Sequence, residues 1–287
     1  MFDALFTTTT EYKKLSHALS GKGACALFGL PASGRAQVYA ALCRQLDKPL
    51  CIVTPGEAEA TRFAADLNTL GIPAAVFPAR DYVLRSIEGT AREYEYRRLA
   101  VLGELVGGRL RAVAVPAEAL TQFTTPKEDF CANTRTLHAG DTLLRDDLLA
   151  ALFGAGYTRR AQVDGPGQFS VRGDIVDIFA PDQKMPVRME FWGDEIDTLH
   201  TFDLTTQRRE DAIDKFYLSP AREVLFGKPA DAAEQLRAFL ARQRGKKKTA
   251  MADCMAADLD LLDGGAVPVN MDKYLVVRYP HPATVLD

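Results

Sequence analysis

None of the chain's 287 residues fall in a stretch that could span a bilayer, since no segment approaches the ~18 to 20 consecutive apolar residues a transmembrane helix requires. The start, MFDALFTTTTEYKKL, has no basic segment leading into an apolar core, so it is not a signal peptide. Cys25, Cys43, Cys51, Cys131 and Cys254 are odd in number, widely spread and without a C-x-x-C pair, which argues against a disulfide framework and against structural zinc. They read as reduced thiols in a cytoplasm, each behaving as a small hydrophobe. Lys+Arg of 35 against Asp+Glu of 38 leaves a formal charge of −3, so no global basic field concentrates nucleic acid. His17, His138, His200 and His281 are scattered, without a helical H-x-x-x-H or a paired acid, and no G-x-S-x-G occurs. The residues therefore point to no metal, no cofactor and no catalytic group. There is no internal repeat either.

What is present is an ordinary globular composition, 47% hydrophobic and 25% charged. The first third alternates strand and helix. ACALF (24–28) reads as a buried strand, followed by a helix carrying Val38, Ala41, Leu42 and Leu46. LCIVT (50–54) leads into Thr54-Pro55-Gly56-Glu57, a capping-box pattern with Thr54 as N-cap and Pro55 at the first helical position. Ala60, Phe63, Ala64, Leu67 and Leu70 then share one helix face, which Gly71 and Pro73 end. AAVF (74–77), a helix with Leu99, Leu102 and Val106, and AVAV (112–115) complete the series. Such units imply a parallel sheet covered on both faces.

Beyond residue 120 the pattern changes. A helix at 145–156 precedes four short runs, GQFSVR, DIVDIF, VRMEFW and EIDTLHTFD, with turn signals at Gly173, Pro181-Asp182 and Gly193-Asp194. Val187, Met189 and Phe191 alternate with Arg188 and Glu190, so one face of that strand is expected to be buried and the other exposed. This is an antiparallel meander backed by a helix. After about residue 206 a helix near 230–243, the lysines Lys246, Lys247 and Lys248, and a strand-like YLVV (274–277) follow. The division expected is 1–119, 120–206 and 207–287. The last residues, YLVVRYPHPATVLD, stop in mid-element, as in a piece of a longer protein.

GLPASGRA (29–36) is the stretch with the clearest chemistry. Gly29 and Gly34 have the spacing of a phosphate-gripping loop, but Arg35 and Ala36 stand where the lysine and the metal-holding hydroxyl belong. Ala36 cannot ligate Mg²⁺, and Pro31 removes one N–H from the cradle. Backbone N–H groups of such a turn bind an anion whatever the side chains, yet a plain strand-to-helix turn explains the residues equally well. Nucleotide hydrolysis is not expected.

The segment GYTRRAQVDGPGQFSVRGDIVDIFAP (156–181), continued by VRMEFWGDEIDTLHTFDLTTQR (187–208), resembles the small inserted domain shared by the excision-repair helicase UvrB and the transcription-repair coupling factors. FPARDYVLRSIEG, EYEYRRLAVLGEL and AVAVPAEALTQ fit the coupling-factor form of the first domain. The reading GRA in the loop, and only some thirty residues between Phe77 and Val113, favour the coupling factors over UvrB, which keeps an intact loop and a DNA-clamping hairpin. The resemblance implies an α/β, P-loop-NTPase-like (degenerate, helicase-type) parallel-sheet domain with an inserted α+β domain of antiparallel strands. It implies a non-catalytic module that binds UvrA through the inserted sheet, within a parent that is an ATP-dependent DNA translocase. RNA polymerase, DNA and an autoinhibitory C-terminal domain would be met by regions outside this chain. Carried over by position, the UvrA contacts are Arg159, Arg172, Arg188 and Glu190, with Ser170 replacing a further arginine.

Solvation of an outer sheet face is the plainer reading of those charges, and Arg188 and Glu190 could pair with each other. Asp174 and Asp177 read as turn and edge polar groups, and Trp192 could anchor a partner, though a half-buried hairpin aromatic is the plainer reading. Arg237, Arg242, Arg244 and the three lysines could touch DNA phosphates, though a solvated helix end accounts for them as well.

Overall fold

The computed structural model describes residues 7–21, 24–45, 49–80 and 92–287. Leu46, the start of the chain, and most of FPARDYVLRSIEG lie outside the described residues, as do the side chains of Lys246, Lys247 and Lys248. The chain is mixed α/β, with one parallel sheet, one mainly antiparallel sheet and one antiparallel pair of strands, and divides into two compact units.

The first unit comprises residues 1–79 and 107–120. It contains α1 (Thr10–Leu19), α2 (Ala32–Gln45), β1 (Leu50–Thr54), α3 (Glu57–Thr69), β2 (Ala74–Val76) and β3 (Ala112–Pro116). The strands are parallel in the order β1-β3-β2. Ala36, Ala40 and Cys43 of α2 and Ala60, Phe63 and Leu67 of α3 join Ile52, Ala112 and Ala114 in one apolar cluster. These strand residues share one parity, and hence one face. The other face is not covered along β1, where Cys51 is exposed and Val53 is 52% exposed.

Two local expectations fail here. Residues 24–28 form no strand, and Phe28 is 88% exposed; an apolar run without a ladder partner gains nothing from being extended. Thr54 is not a helix cap. It is the last residue of β1, paired with Pro116, and its hydroxyl donates to Gly56 O at 2.9 Å, so α3 starts only at Glu57.

The second unit comprises 80–106 and 121–287. It opens with α4 (Glu93–Val106), then α5 (Lys127–Ala132), β4 (Arg135–His138), α6 (Arg145–Gly154), β5 (Thr158–Arg159), β6 (Gln168–Arg172), β7 (Ile175–Phe179), β8 (Val187–Trp192), β9 (Glu195–Phe202), β10 (Arg209–Ala212) and β11 (Lys215–Leu218). Strands β10-β9-β8-β7-β6-β5 form a six-stranded sheet, antiparallel except for β5 against β6. Leu148 and Leu152 of α6 pack with Phe169, Val176, Ile178, Met189 and Leu199, the inward residues of the meander. Gly173 and Gly193, at φ +60° and +62°, turn its hairpins, a conformation that glycine adopts without strain.

Two helices, α7 (Pro229–Arg242) and α8 (Gly245–Asp263), close the unit. The helix expected near 230–243 ends before the lysine run, yet that run lies within α8. Met251, Met255, Leu259 and Leu262 supply its apolar stripe at helical spacing. YLVV is not a strand: Met271–Tyr274 is a 3₁₀ turn and Leu275–Arg278 a helical one. Met271, Tyr274, Leu275 and Tyr279 recur at that spacing and join the cluster formed by α7 and α8.

A buried ionic knot ties α4 to the segments that follow the meander. Arg98 and Glu223 are 0% exposed and Arg80 is 4% exposed. Arg98 Nε donates to Glu223 Oε1 at 2.7 Å and its Nη2 to Phe123 O at 3.1 Å, while Arg80 pairs with the same carboxylate. Thr124 donates to Glu223 Oε1 at 3.1 Å, and the Glu223 N–H reaches Glu95 Oε1 at 3.0 Å. Removing the shared carboxylate takes from buried Arg98 its 2.7 Å partner and leaves Arg80 with Asp272, 3.5 Å away. Glu223→Leu is expected to lower the unfolding free energy in urea by about 3–5 kcal/mol; a loss below about 1 kcal/mol contradicts this role.

Candidate functional site

Pairing across the six-stranded sheet sets its outer face in rows. Ser170, Asp177, Arg188 and His200 form one row, and Arg172, Ile175, Glu190 and Thr198 the next. Alternation puts both rows opposite the packed α6 side.

Asp177 is at the centre and is 0% exposed. Arg188 donates to it from Nε at 2.7 Å and from Nη2 at 3.0 Å, a bidentate pair, and Arg172 Nη2 adds a third bond at 2.6 Å. The first of these partnerships raises the Arg188 pKa. The expectation that Asp177 is a turn or edge group is therefore corrected: it is a buried counter-ion in a middle strand. Arg188, expected on the exposed face, is only 9% exposed. The chain after β9 folds over it. Arg188 Nη1 donates to Gln207 O at 3.1 Å, and its guanidinium carbon stands 4.8 Å from the Phe202 ring centroid. Val163, Phe179 and Phe202 make a small second core there, with Leu204 against it. The turn is held by Asp203, which accepts from Thr206 N at 2.7 Å and from Thr205 N at 3.1 Å; these bonds, Thr206 first, lower its pKa.

Glu190 does not pair with Arg188 as anticipated; it pairs with Arg209 and accepts from Thr198 Oγ1 at 3.3 Å. Ser170 is 1% exposed, directly across from Asp177. Arg172 is different. Its side chain is 47% exposed, and only Nη2 is engaged, so the rest of its fork has no partner among the described residues. Arg159 is exposed, but β5 pairs it with Phe169, an inward residue. It therefore has the opposite parity to Arg172 and lies at the sheet's edge. Thus the structure gathers Arg172, Arg188 and Glu190 on one face and leaves Arg159 off it.

The exposure of Trp192 was missed. It is 83% exposed, two residues beyond Glu190 on the outer parity, rather than half-buried. The signal was in the sequence: Val187, Met189 and Phe191 occupy the inward positions, so Trp192 falls with Arg188 and Glu190. Arg172, Ile175, Glu190 and Trp192 thus form an outward set with a cation, an anion and an aromatic. Arg145 braces its rim, donating to Gly173 O at 2.8 Å beside Asp174.

The glycine-rich loop is built differently. Gly29 has φ +81°, α2 begins before Gly34, and the Gly34 N–H donates to Pro31 O at 3.0 Å. Arg35 lies 3.8 Å from Glu59, and Ala36 is 3% exposed within the α2–α3 cluster. In the basic cluster Arg237 pairs with Asp263, while Arg242 and Arg244 are exposed. Among the described residues no group of three His, Cys, Asp or Glu side chains could hold a metal ion, and no helix is long and apolar enough to cross a membrane.

Residues 136–224, which carry this sheet, match the UvrB interaction domain. Over 270 residues, 91% of the chain, the sequence is 28% identical to the transcription-repair-coupling factor of Bacillus subtilis (strain 168), covering 23% of that protein. Over 208 residues, 69% of the chain, it is 35% identical to the transcription-repair-coupling factor of Myxococcus xanthus, covering 17% of it. It is also 28% identical over 226 residues to UvrABC system protein B of Chlorobium limicola, covering 74% of the chain and 32% of that protein. The chain thus spans about a fifth of the coupling-factor relatives.

The composition includes a single tryptophan, so fluorescence excited at the red edge of the absorption band, where tyrosine does not absorb, reports on Trp192 alone. Iodide is expected to quench it nearly as well as free N-acetyltryptophanamide. Emission shielded from iodide contradicts the exposed outer face.

Proposed function

For a chain that is related over most of its length to transcription-repair-coupling factors and carries a UvrB interaction domain, we propose a protein-binding role, in which the six-stranded sheet docks UvrA and so draws excision repair to a stalled RNA polymerase. The observation that carries this reading is Arg172, half-exposed on the outer face and fixed by a buried carboxylate. A guanidinium held in one geometry loses little freedom when a partner carboxylate takes the rest of its fork, and arginine and tryptophan are the side chains most often dominant at such contacts.

Within this reading Arg172 and Glu190 touch the partner, with Trp192 as an apolar anchor. Arg188 is a positioning residue, acting through Asp177. Arg159 contributes from the edge strand, where it has no ion pair among the described residues. The inserted domain of the proposed division, 120–206, contains all five.

The first unit is proposed as a P-loop-NTPase-like scaffold whose loop is degenerate. With Arg35 drawn toward Glu59 and Ala36 turned into the core, neither supplies what phosphoryl transfer needs, a lysine on the phosphates and a hydroxyl on Mg²⁺. This piece is therefore proposed to be non-catalytic and cofactor-free. The longer parent is proposed to be a cytoplasmic ATP-dependent DNA translocase, whose remaining parts meet RNA polymerase, DNA and an autoinhibitory C-terminal domain. A duplex-binding role for the basic cluster is weakened by the Arg237–Asp263 pair.

Calorimetric titration with UvrA tests the reading. Wild-type chain is expected to bind saturably, and Arg172→Ala to bind at least about fivefold more weakly, equal to a loss of about 1 kcal/mol or more. Unchanged affinity in that variant contradicts the assignment.

A further inference from the structure

Arg159, off the outer face, opens onto a cleft of about 870 Å³ in the second unit. Its walls are mostly apolar, with Phe153 at the end of α6, Val224, and Leu262 near the end of α8. Phe153 is 54% exposed although its ring meets Phe169 edge-on at 5.2 Å.

Three cations line the cleft, Arg159, Arg222 and Lys228, against one carboxylate, Asp231. Asp231 already accepts the Lys228 backbone N–H at 3.3 Å. None of the three cations has an ion pair among the described residues. Arg222 is the most constrained. A Cβ added at Gly156 would stand 2.8 Å from Arg222 Cγ, so the stem runs against bare backbone, and Nη1 donates to Pro268 O at 2.8 Å. Burial, reinforced by the like charge of Arg92, lowers its pKa to about 10, with Glu95 and Asp272 only partly offsetting this.

A guanidinium desolvated without a carboxylate is a cost that an incoming anion relieves, and its planar fork favours a carboxylate taken bidentately. A small inorganic anion leaves the apolar walls wet. A peptide bearing an acidic side chain between apolar ones satisfies both, and a cleft of this size accommodates several side chains.

We propose that the cleft receives an acidic, apolar segment of the same partner, so that the footprint runs from Arg172 around the β5 edge to Arg222. This rests on the UvrA reading above. It also gives Arg159 a role that its parity denies it on the outer face.

The test is calorimetric titration of UvrA into wild-type chain, Arg172→Ala, Lys228→Glu, and the double variant Arg222→Met with Lys228→Gln, with melting followed by circular dichroism. Lys228 is exposed, so Lys228→Glu isolates the cleft's charge from any folding defect. The inference predicts at least about fivefold weaker binding for Lys228→Glu and at least about tenfold for the double variant. Wild-type affinity in Lys228→Glu, with binding still lost in Arg172→Ala, overturns the cleft and leaves the sheet contact standing. Absence of UvrA binding by the wild-type chain overturns both.

Discussion

The outer face of the six-stranded sheet depends on a carboxylate with no access to water. Asp177 is buried among the middle strands, and taking such a group out of water costs several kcal/mol unless its oxygens are fully engaged. Arg188 engages both oxygens and Arg172 one of them. The two arginines have different fates. Arg188 is sealed under the turn after β9, between Gln207 O and the Phe202 ring, whereas Arg172 remains half in solvent. An ion cluster of this kind is weak evidence for stability, but it fixes where a charge points. That fixed direction is what a docking surface requires, because a preorganised side chain loses less freedom on binding.

Glu223 uses the same chemistry for another purpose. It holds Arg80 and Arg98 in a dry interior, with nothing presented outward, so its role is to tie α4 to the later segments. Arg222, its chain neighbour, makes no ion pair among the described residues, Glu95 and Asp272 only partly offsetting its burial, and it opens onto the apolar cleft. The contrast between neighbouring residues, one carboxylate shared by two guanidiniums and one guanidinium without an ion pair among the described residues, underlies the proposed preference of the cleft for an acidic segment.

The meander was legible because its short runs are separated by clear turn signals and VRMEFW keeps period-2 alternation, and its helix because Leu148 and Leu152 face the sheet one turn apart. Alternation also marked Arg172, Glu190 and Trp192 as outward, although Trp192 was misjudged by weighing its residue type above its parity. Burial of Arg188 was not legible. It comes from Phe202, Leu204 and Gln207, whose return over the sheet depends on an Asp203 turn and on Gln207 at φ 59°, neither visible as periodicity. Residues 24–28 were read as a strand from their apolar run alone, but a strand needs a ladder partner and they have none among the described residues. The helix Gly245–Asp263 was hidden by its opening Gly-Lys-Lys-Lys and by a stripe of methionine and leucine among alanine and aspartate.

The central claim is that Asp177 serves the partner by holding Arg172, and a double-mutant cycle on UvrA binding isolates that term. Asp177→Asn, Arg172→Ala and the pair together, titrated by calorimetry, are predicted to show a coupling energy above about 1 kcal/mol, because the loss of the buried Arg188 pair is common to free and bound chain and Asp177 reaches the partner through Arg172. Losses that simply add, within about 0.5 kcal/mol, would contradict the account.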